Sequence, residues 1–286
     1  MADLRKRVPE NIDGLFFVDT TCIDCDTCRE LAPETFQDAG NYSSVHHQPI
    51  SEEELLRAAR ALISCPTGSI GTTEKIDLHP AIQSLPLPLT DDVYYNGYAS
   101  KDSFGASSYF IAYPEGNWLV DSPKYMPNLV KRFEEMGGIK YIFLSHQDDV
   151  ADAERYAKHF GATRIIHQFE KRAQPDAELL IKGDEPIRIT PDHLIIPTPG
   201  HTRGHCVLLY KNILFTGDHL WYSHNYRSLN AGRSVCWYSW SEQTRSMEKL
   251  LDYDFEYVLP GHGERIKLPA NEVKYQLQQL IERMKR

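Results

Sequence analysis

The sequence predicts an α/β protein with two unequal domains, and three observations lead to that prediction. Four of the six cysteines fall within residues 8–74, whereas nine of the twelve histidines fall within residues 92–286. Residues 75–91, between these segments, contain three prolines, which remove backbone donors and disfavour helix in the preceding residue, so we expect an extended connector. Beyond it, short apolar runs alternate with helical patterns, as in layered α/β proteins. We therefore expect a small domain at 8–74, a linker at 75–91 and a large domain at 92–286.

The helix signals are clearest where a capping residue precedes a periodic apolar pattern. Ser51 and Glu54 form a capping box, which predicts a helix that continues through Leu62. The other predicted helices are residues 127–136, 150–160, 241–251 and 270–285. The predicted strands are residues 109–112, 118–120, 141–144, 164–166, 194–196, 207–210, 213–215 and 257–259.

Charge and composition limit the partners and the location of the protein. The formal net charge is −9, and a negative chain repels nucleic-acid backbones and anionic membranes unless it carries a strong basic patch. No window approaches the roughly 20 apolar residues of a membrane span, and the polar N-terminus lacks a signal-peptide pattern. Six unevenly placed cysteines favour a reducing compartment with metal chemistry. We expect a soluble, cytoplasmic protein without nucleic-acid or membrane partners, and the oligomeric state stays open.

The cysteines of the first domain have the spacing of an iron–sulfur site. Cys22, Cys25 and Cys28 follow the pattern C-x2-C-x2-C, and Cys65 directly precedes a proline. Three thiolates at this spacing can hold three corners of a cubane, and a distant fourth closes it. The segment 20–36 resembles single-cluster ferredoxins, which implies one [4Fe–4S] cluster held by these four cysteines. The alternative is a structural zinc site, although zinc usually takes its cysteines as two pairs.

Four polar loops of the large domain each follow an apolar run and carry a side chain that can bind metal. These side chains are His146, His201, Asp218 and His262. If the preceding strands are neighbours, the strand ends bring the four side chains around one point. The sequence therefore predicts a metal site assembled from four separate places in the chain.

Three of these loops resemble motifs of the metallo-β-lactamase superfamily. They read TPGHT at 198–202, TGD at 216–218 and PGHG at 260–263, and residues 107–121 resemble the opening hairpin of that fold. The resemblance covers nearly all of residues 93–266 and implies a four-layer αββα sandwich.

The resemblance also implies a role for each matching residue. His201 would bind a first metal, Asp218 would bridge two metals, and His262 would bind the second. Asp121 would occupy the acidic position that supports the ligands from behind.

The first ligand motif departs from the family pattern H-x-H-x-D-H. The chain keeps His146, has Asp148 in place of the second histidine, and has Val150 and Ala151 in place of the Asp-His pair. The predicted metal ligands are His146, Asp148, His201, Asp218 and His262. The second metal site is expected to be weakened or lost, unless an aspartate from a shifted frame substitutes for the missing ligands.

Two other aspartates, Asp149 and Asp152, are candidates for that substitution and for the catalytic residues. As with Asp148, each also has a structural interpretation, because acids at the start of a helix cap its first turn and interact favourably with its dipole. The carboxylate at Asp148 makes the ligand set harder, so iron or manganese is as plausible as zinc. It is similar to the substitution in flavodiiron proteins, which nevertheless keep the Asp-His pair.

Three functions are compatible with the sequence. The first is a redox enzyme in which the cluster passes electrons to the metal site, with an electron-donor protein as partner because no dinucleotide or nucleotide motif is present. The second is a metal-dependent hydrolase of a thioester, lactone or phosphoester, in which the cluster is structural or sensory. The third is a degenerate redox-sensing or binding module. We favour the redox enzyme, because an electron carrier fused to a simple hydrolase is hard to explain.

The aromatic and basic segment 221–240 is a candidate lining for a small-molecule substrate. Its arginines could hold an anionic group. It could equally be an insertion that packs against the core.

Overall fold

The computed structural model describes residues 2–286 and divides the chain into two compact units. The first unit extends to residue 117 and includes residues 122–138, and the second contains residues 118–121 and 139–286. The domain limits expected from the sequence remain predictions.

The first unit is built from short paired strands and four helices. Its strands are β1 (Phe16–Val18), β2 (Phe36–Asp38), β3 (Ser43–Val45), β4 (Ile70–Thr72), β5 (Leu87–Pro88), β6 (Val93–Tyr95) and β7 (Tyr109–Ile111). Its helices are α1 (Thr27–Leu31), α2 (Glu52–Ser64), α3 (His79–Gln83) and α4 (Pro127–Glu135). The antiparallel pairs are β1 with β4, β2 with β3, β5 with β6 and β6 with β7.

Helix α2 begins at the predicted cap and ends two residues beyond the predicted end. The Ser51 side chain accepts a hydrogen bond from the amide of Glu54, as expected of an N-cap. The Glu54 carboxylate accepts from the amide of Ile50, one residue before the position of a standard capping box. The helix ends at Ser64, and Cys65 follows it in an extended conformation.

The prediction that residues 75–91 form an extended connector was wrong at residues 79–83. Helix α3 lies within this segment and has Pro80 in its first turn, where the missing proline N–H breaks no intrahelical bond. Strand β5 follows and pairs with β6.

The second unit contains two sheets and three helices. The strands of one sheet are, in order, β11 (Leu179–Ile181), β10 (Thr163–His167), β9 (Tyr141–Phe143) and β8 (Trp118–Val120), all parallel. The other sheet runs β12 (Ile187–Thr190), β13 (His193–Pro197), β14 (Cys206–Tyr210), β15 (Ile213–Gly217), β18 (Tyr257–Pro260) and β19 (Ile266–Lys267), with β15 and β18 parallel. Strands β16 (Trp221–Ser223) and β17 (Ser228–Asn230) form a hairpin, and the helices are α5 (Ala153–Phe160), α6 (Trp240–Leu250) and α7 (Ala270–Met284).

A stack of aromatic rings joins the two sheets of the second unit. Trp118 lies 4.2 Å from His193 between ring centroids, and His193 lies 4.6 Å from Tyr210. On the other face of the second sheet, α6 and α7 contribute Met247, Leu277 and neighbouring apolar residues to a buried cluster. Helix α5 packs against β10 of the first sheet. The unit is thus layered as helix, sheet, sheet and helix, which confirms the predicted αββα class.

The structure shifts two predicted helix starts. The helix expected at residues 150–160 begins at Ala153, because Gln147–Asp149 form a 3-10 turn and Ala151 has φ of +31°. The helix expected at 241–251 begins at Trp240, capped by the side chain of Ser239. None of the helices within residues 2–286 has the length and apolar character that a membrane crossing requires.

Candidate metal centre and cluster site

The four predicted strand-end ligands lie together in the second unit. His146 follows β9, His201 follows β13, Asp218 directly follows β15, and His262 follows β18. The loops are fixed to one another by backbone hydrogen bonds, such as Cys206 N to Ser145 O at 2.8 Å. The rigid sheets therefore position the side chains, as predicted from the sequence.

Two imidazoles and one carboxylate make the first potential metal-binding group. The Nε2 atoms of His146 and His201 lie 3.8 Å and 3.7 Å from Oδ2 of Asp218. Together the three residues can offer one ligand atom each within 4.8 Å of one another. Such spacings suit side chains that surround one ion of roughly 2 Å ligand distance.

A second group shares Asp218 and adds Asp149 and His262. His262 Nδ1 lies 2.8 Å from Oδ1 of Asp218. Gly261 makes this approach possible, because a Cβ at that position would lie 2.6 Å from Asp149 Oδ2 and 2.9 Å from Asp218 Oδ1. Asp149 therefore lies beside Asp218 and His262. This is the position of the second metal site, for which the chain lacks the family's Asp-His pair.

The other two predicted aspartates lie at the margin. Oδ2 of Asp148 is 3.8 Å from Nε2 of His146, but half of the Asp148 side chain is exposed. Asp152 accepts a hydrogen bond from Arg155 on the first turn of α5. Over the part of the chain that the structure describes, neither residue belongs to the two three-residue groups. Their predicted roles as ligand and catalytic residue remain predictions.

Buried polar atoms that make no hydrogen bond indicate that these residues fit a metal. Within residues 2–286, Nε2 of His146, Nε2 of His201 and both carboxylate oxygens of Asp149 have no hydrogen-bond partner. Leaving such groups buried costs about 1–3 kcal/mol each, and a bound cation removes that cost. The donor set of imidazoles and carboxylates suits zinc, iron or manganese.

Burial keeps the imidazoles in the form that binds metal. It lowers the pKa of His146 to about 3 and also lowers the pKa of His201. A neutral imidazole has a free lone pair for a cation. Ser145 Oγ lies 2.9 Å from Nδ1 of His146, so a proton on Nδ1 directed at this hydroxyl leaves Nε2 facing the site.

The pKa values of Asp149 and Asp218 are shifted in opposite directions. Burial raises the pKa of Asp149 well above its usual value, with a further increase from the negative charge of Asp218. Burial also raises the pKa of Asp218, but the histidines around it, His262 first, outweigh burial and lower that pKa overall. Asp121, buried behind the ligands, accepts from the amide of Ser145 at 2.8 Å, and burial raises its pKa to about 7. Asp218 is thus the carboxylate that stays ionised most readily.

Two further histidines line the inner side of the site. His205 and His219 are fully buried, and their rings stack at 5.3 Å. The His205 ring lies 5.2 Å from that of His146, and its Nδ1 is 3.0 Å from Thr198 Oγ1. These residues extend the row of imidazoles from His146 into the interior.

Part of the segment 221–240 borders the first group. The amides of Trp237 and Tyr238 donate to the carbonyl of His201, and the Trp237 ring lies 6.3 Å from the His201 ring. Two thirds of Trp237 and half of Tyr238 are exposed. The segment is therefore anchored to a candidate ligand and also presents aromatic surface to solvent.

The four cysteines of the first unit line one pocket, where they fit a [4Fe–4S] cluster. Cys22, Cys25, Cys28 and Cys65 all face it. Backbone amides donate to two of the sulfurs, Ser43 N to Cys22 at 3.4 Å and Ser69 N to Cys65 at 3.3 Å. Burial raises the pKa of Cys25 to about 11 and that of Cys28 further, so these thiolates require a compensating positive centre such as cluster iron.

Several residues around the two sites could not be anticipated from the sequence. Ser145 and Gly261 act through contacts with residues on other strands, and Thr21 and Ser69 adjoin the cysteine pocket through side-chain hydrogen bonds. Their residue types are common, and no local spacing pattern distinguishes them.

Family models match both parts of the chain. Residues 18–72 match the 4Fe-4S single cluster domain of Ferredoxin I, and residues 103–262 match the metallo-beta-lactamase superfamily. Among curated proteins, the Beta-lactamase-like protein 2 homolog of Drosophila melanogaster is 34% identical over 82 residues, which is 28% of this chain and 25% of that protein. Hydroxyacylglutathione hydrolase of Shewanella pealeana is 29% identical over 143 residues, 47% of this chain and 51% of that protein. The chain thus spans a quarter to a half of the curated relatives it matches.

Solved structures share the fold at low sequence identity. The metallo-beta-lactamase FIM-1 from Pseudomonas aeruginosa, in its mono-zinc form, aligns with a TM-score of 0.54 and 16% identity, over 68% of this chain and 93% of that one. VMB-1 aligns with a TM-score of 0.54 and 20% identity, over 70% and 96% of the two chains. With the family match and the layered fold, the chain belongs to the metallo-beta-lactamase superfamily and carries a single-cluster ferredoxin-like domain before that fold.

Proposed function

We propose that the protein is a redox enzyme in which a [4Fe–4S] cluster on the four cysteines supplies electrons to an iron ion held by His146, His201 and Asp218. The observation that carries the proposal is the first group of candidate ligands, which consists of two imidazoles and one carboxylate. The Nε2 atoms of the two histidines lie 3.7–3.8 Å from Oδ2 of Asp218. Two histidines and one carboxylate with open positions are typical of non-haem iron sites. A ferredoxin-like domain in the same chain gives such an iron a source of electrons.

The protein residues would hold the iron and orient the substrate, and the bound iron would supply the redox chemistry. His146 and His201 are neutral because burial lowers their pKa values, so each can direct Nε2 at the ion. Ser145 holds the ring of His146 from behind. The exposed ring of Trp237 lies edge-on to the His201 ring and would contact a small-molecule substrate there.

An external protein would deliver the electrons to the cluster. The sequence contains neither a dinucleotide fingerprint nor a P-loop, so we propose an electron-donor protein as the partner. The formal net charge of −9 favours a donor with a basic face.

A hydrolase is the second candidate, and two observations favour it. The chain matches a hydroxyacylglutathione hydrolase over half of that protein. Asp149, Asp218 and His262 form a second group beside the first, as required for two adjacent ions that activate a water between them. In this case the cluster would serve structure or sensing, and the metals would be zinc.

Metal analysis of anaerobically purified protein, with electron paramagnetic resonance, separates the two candidates. The redox proposal predicts about five iron atoms per chain, four in the cluster and one in the metal centre. The variant His201→Ala should lose the fifth iron, while the exposed control His159→Ala should keep it. Zinc in the metal centre, with thioester or lactone hydrolysis that does not respond to cluster reduction, would reject the redox proposal in favour of the hydrolase.

A further inference from the structure

A chain of hydroxyl groups connects one cluster ligand to a buried carboxylate in the first unit. Thr67 Oγ1 lies 3.7 Å from the Cys65 sulfur and 2.7 Å from Ser69 Oγ. Ser69 Oγ lies 2.7 Å from Thr21 Oγ1, which donates to Oδ1 of Asp19 at 2.5 Å. Three hydroxyls therefore link the sulfur and the carboxylate in one continuous row.

Asp19 is held so that it can only accept. It is 1% exposed, and its two oxygens also accept from the amides of Asp3 at 2.8 Å and Thr21 at 2.9 Å. Each carboxylate oxygen of Asp19 thus accepts from a backbone amide, and Oδ1 is also the acceptor of the Thr21 hydroxyl. The Thr21 hydroxyl must therefore direct its single hydrogen at Asp19.

The hydrogen bond from Thr21 to Asp19 determines the direction of the other hydrogen bonds in the row. Because the Thr21 hydrogen is used on Asp19, Thr21 can only accept from Ser69, which is fully buried. Ser69 then has no hydrogen left for Thr67, so Thr67 must donate to Ser69. The Thr67 oxygen consequently presents a lone pair, and no hydrogen, to the Cys65 sulfur.

We propose that Asp19 and this hydroxyl row, defined as Thr21, Ser69 and Thr67, are positioning residues that withhold a hydrogen bond from Cys65 and thereby keep the cluster potential low. A hydrogen bond to a cysteine sulfur stabilises the more negative, reduced cluster and raises its potential. The amide of Ser69 already supplies one such bond at 3.3 Å, and the orientation of Thr67 denies the sulfur a second. A low potential makes the cluster a stronger reductant, which is the property that the proposed redox function requires.

The row can be released at either of two positions. Thr21→Val keeps the shape of the side chain but removes the hydroxyl that ties the row to Asp19. Ser69 is then free to donate to Thr67, and Thr67 to Cys65. Ser69→Ala releases Thr67 directly, so it serves as a second variant if Thr21→Val binds the cluster poorly.

The test is the reduction potential of the cluster in the full chain, measured by anaerobic spectroelectrochemistry. We expect Thr21→Val to raise the reduction potential and Thr67→Val to leave it unchanged. The double variant that combines Thr21→Val with Thr67→Val should match Thr67→Val, because it lacks the hydroxyl that could donate to Cys65. The control Thr73→Val removes a hydroxyl that bonds to the backbone carbonyl of Gly14, away from the row, and should have no effect.

Three results would overturn the proposal. The first is that Thr21→Val and Ser69→Ala both have the reduction potential of the wild type. The second is that Thr67→Val alone lowers the potential. The third is that the potential stays raised when Thr21→Val is combined with Thr67→Val. None of them depends on which metal occupies the second unit, so failure here is distinct from failure of the proposed redox function.

Discussion

Asp149 is a buried residue whose carboxylate is expected to lower the stability of the metal-free protein. It is 1% exposed, and neither carboxylate oxygen has a hydrogen-bond partner within residues 2–286. It does not cap a helix, although its position in the sequence is compatible with a cap. Its environment favours the neutral form when no cation is present, because burial and Asp218 both raise its pKa.

We predict that Asp149→Asn stabilises the metal-free protein at alkaline pH and lowers its metal content. A carboxyl with a raised folded-state pKa contributes stability below its unfolded pKa and loses that contribution as pH rises through the folded value. Removing the buried charge should therefore raise the free energy of unfolding at pH 8 by about 1–3 kcal/mol, and by almost nothing near pH 3.5. Urea unfolding of chelator-treated protein at the two pH values measures this difference.

Asp152→Asn is the matched control, because Asp152 lies outside both metal-binding groups. If this variant gains as much stability as Asp149→Asn, burial of Asp149 is not the cause.

The loop before β7 contacts the cysteine pocket. The carbonyl of Gly105 accepts from Thr27 Oγ1 at 3.2 Å, and a Cβ at Gly105 would lie 2.5 Å from Cys25 Cβ and 2.8 Å from its sulfur. Residue 105 falls within the stretch that matches the metallo-beta-lactamase family. The loop therefore covers a cluster ligand with residues from outside the ferredoxin-like segment.

We predict that Gly105→Ala lowers the iron and sulfide content of the purified protein. Gly40→Ala provides a close control, because Gly40 has φ of +95° against +91° for Gly105, but a Cβ there meets nothing within 4 Å. Both variants place a Cβ at a similar positive φ, and only Gly105→Ala brings that Cβ against Cys25. Equal cluster content in the two variants would show that close approach at Gly105 does not matter.

The sequence predicted best the elements that local chemistry determines. The capping box at Ser51 located the start of α2, and the strand-end motifs brought His146, His201 and Asp218 to one place. The choice between Asp149 and Asp152 depended on a 3-10 turn at Gln147–Asp149 that helical periodicity does not reveal. The contact of Gly105 with Thr27 joins residues 78 positions apart, and no local pattern encodes such a contact.

The chain combines two sites that differ in chemistry. The four-cysteine pocket suits a carrier of electrons, and the buried imidazoles and carboxylates suit a harder ion with open positions. The proposed redox function requires that the second site takes up electrons as well as the first. A hydrolytic zinc ion in the same ligands would have no accessible redox change.

Anaerobic reductive titration of the oxidised protein examines this requirement, because it counts the electrons that each chain accepts. We predict about two electrons per chain for the wild type, one for the cluster and one for the iron, and about one for His201→Ala, which keeps only the cluster. A wild-type protein that accepts the same single electron as His201→Ala would rule out a redox-active ion in the second site.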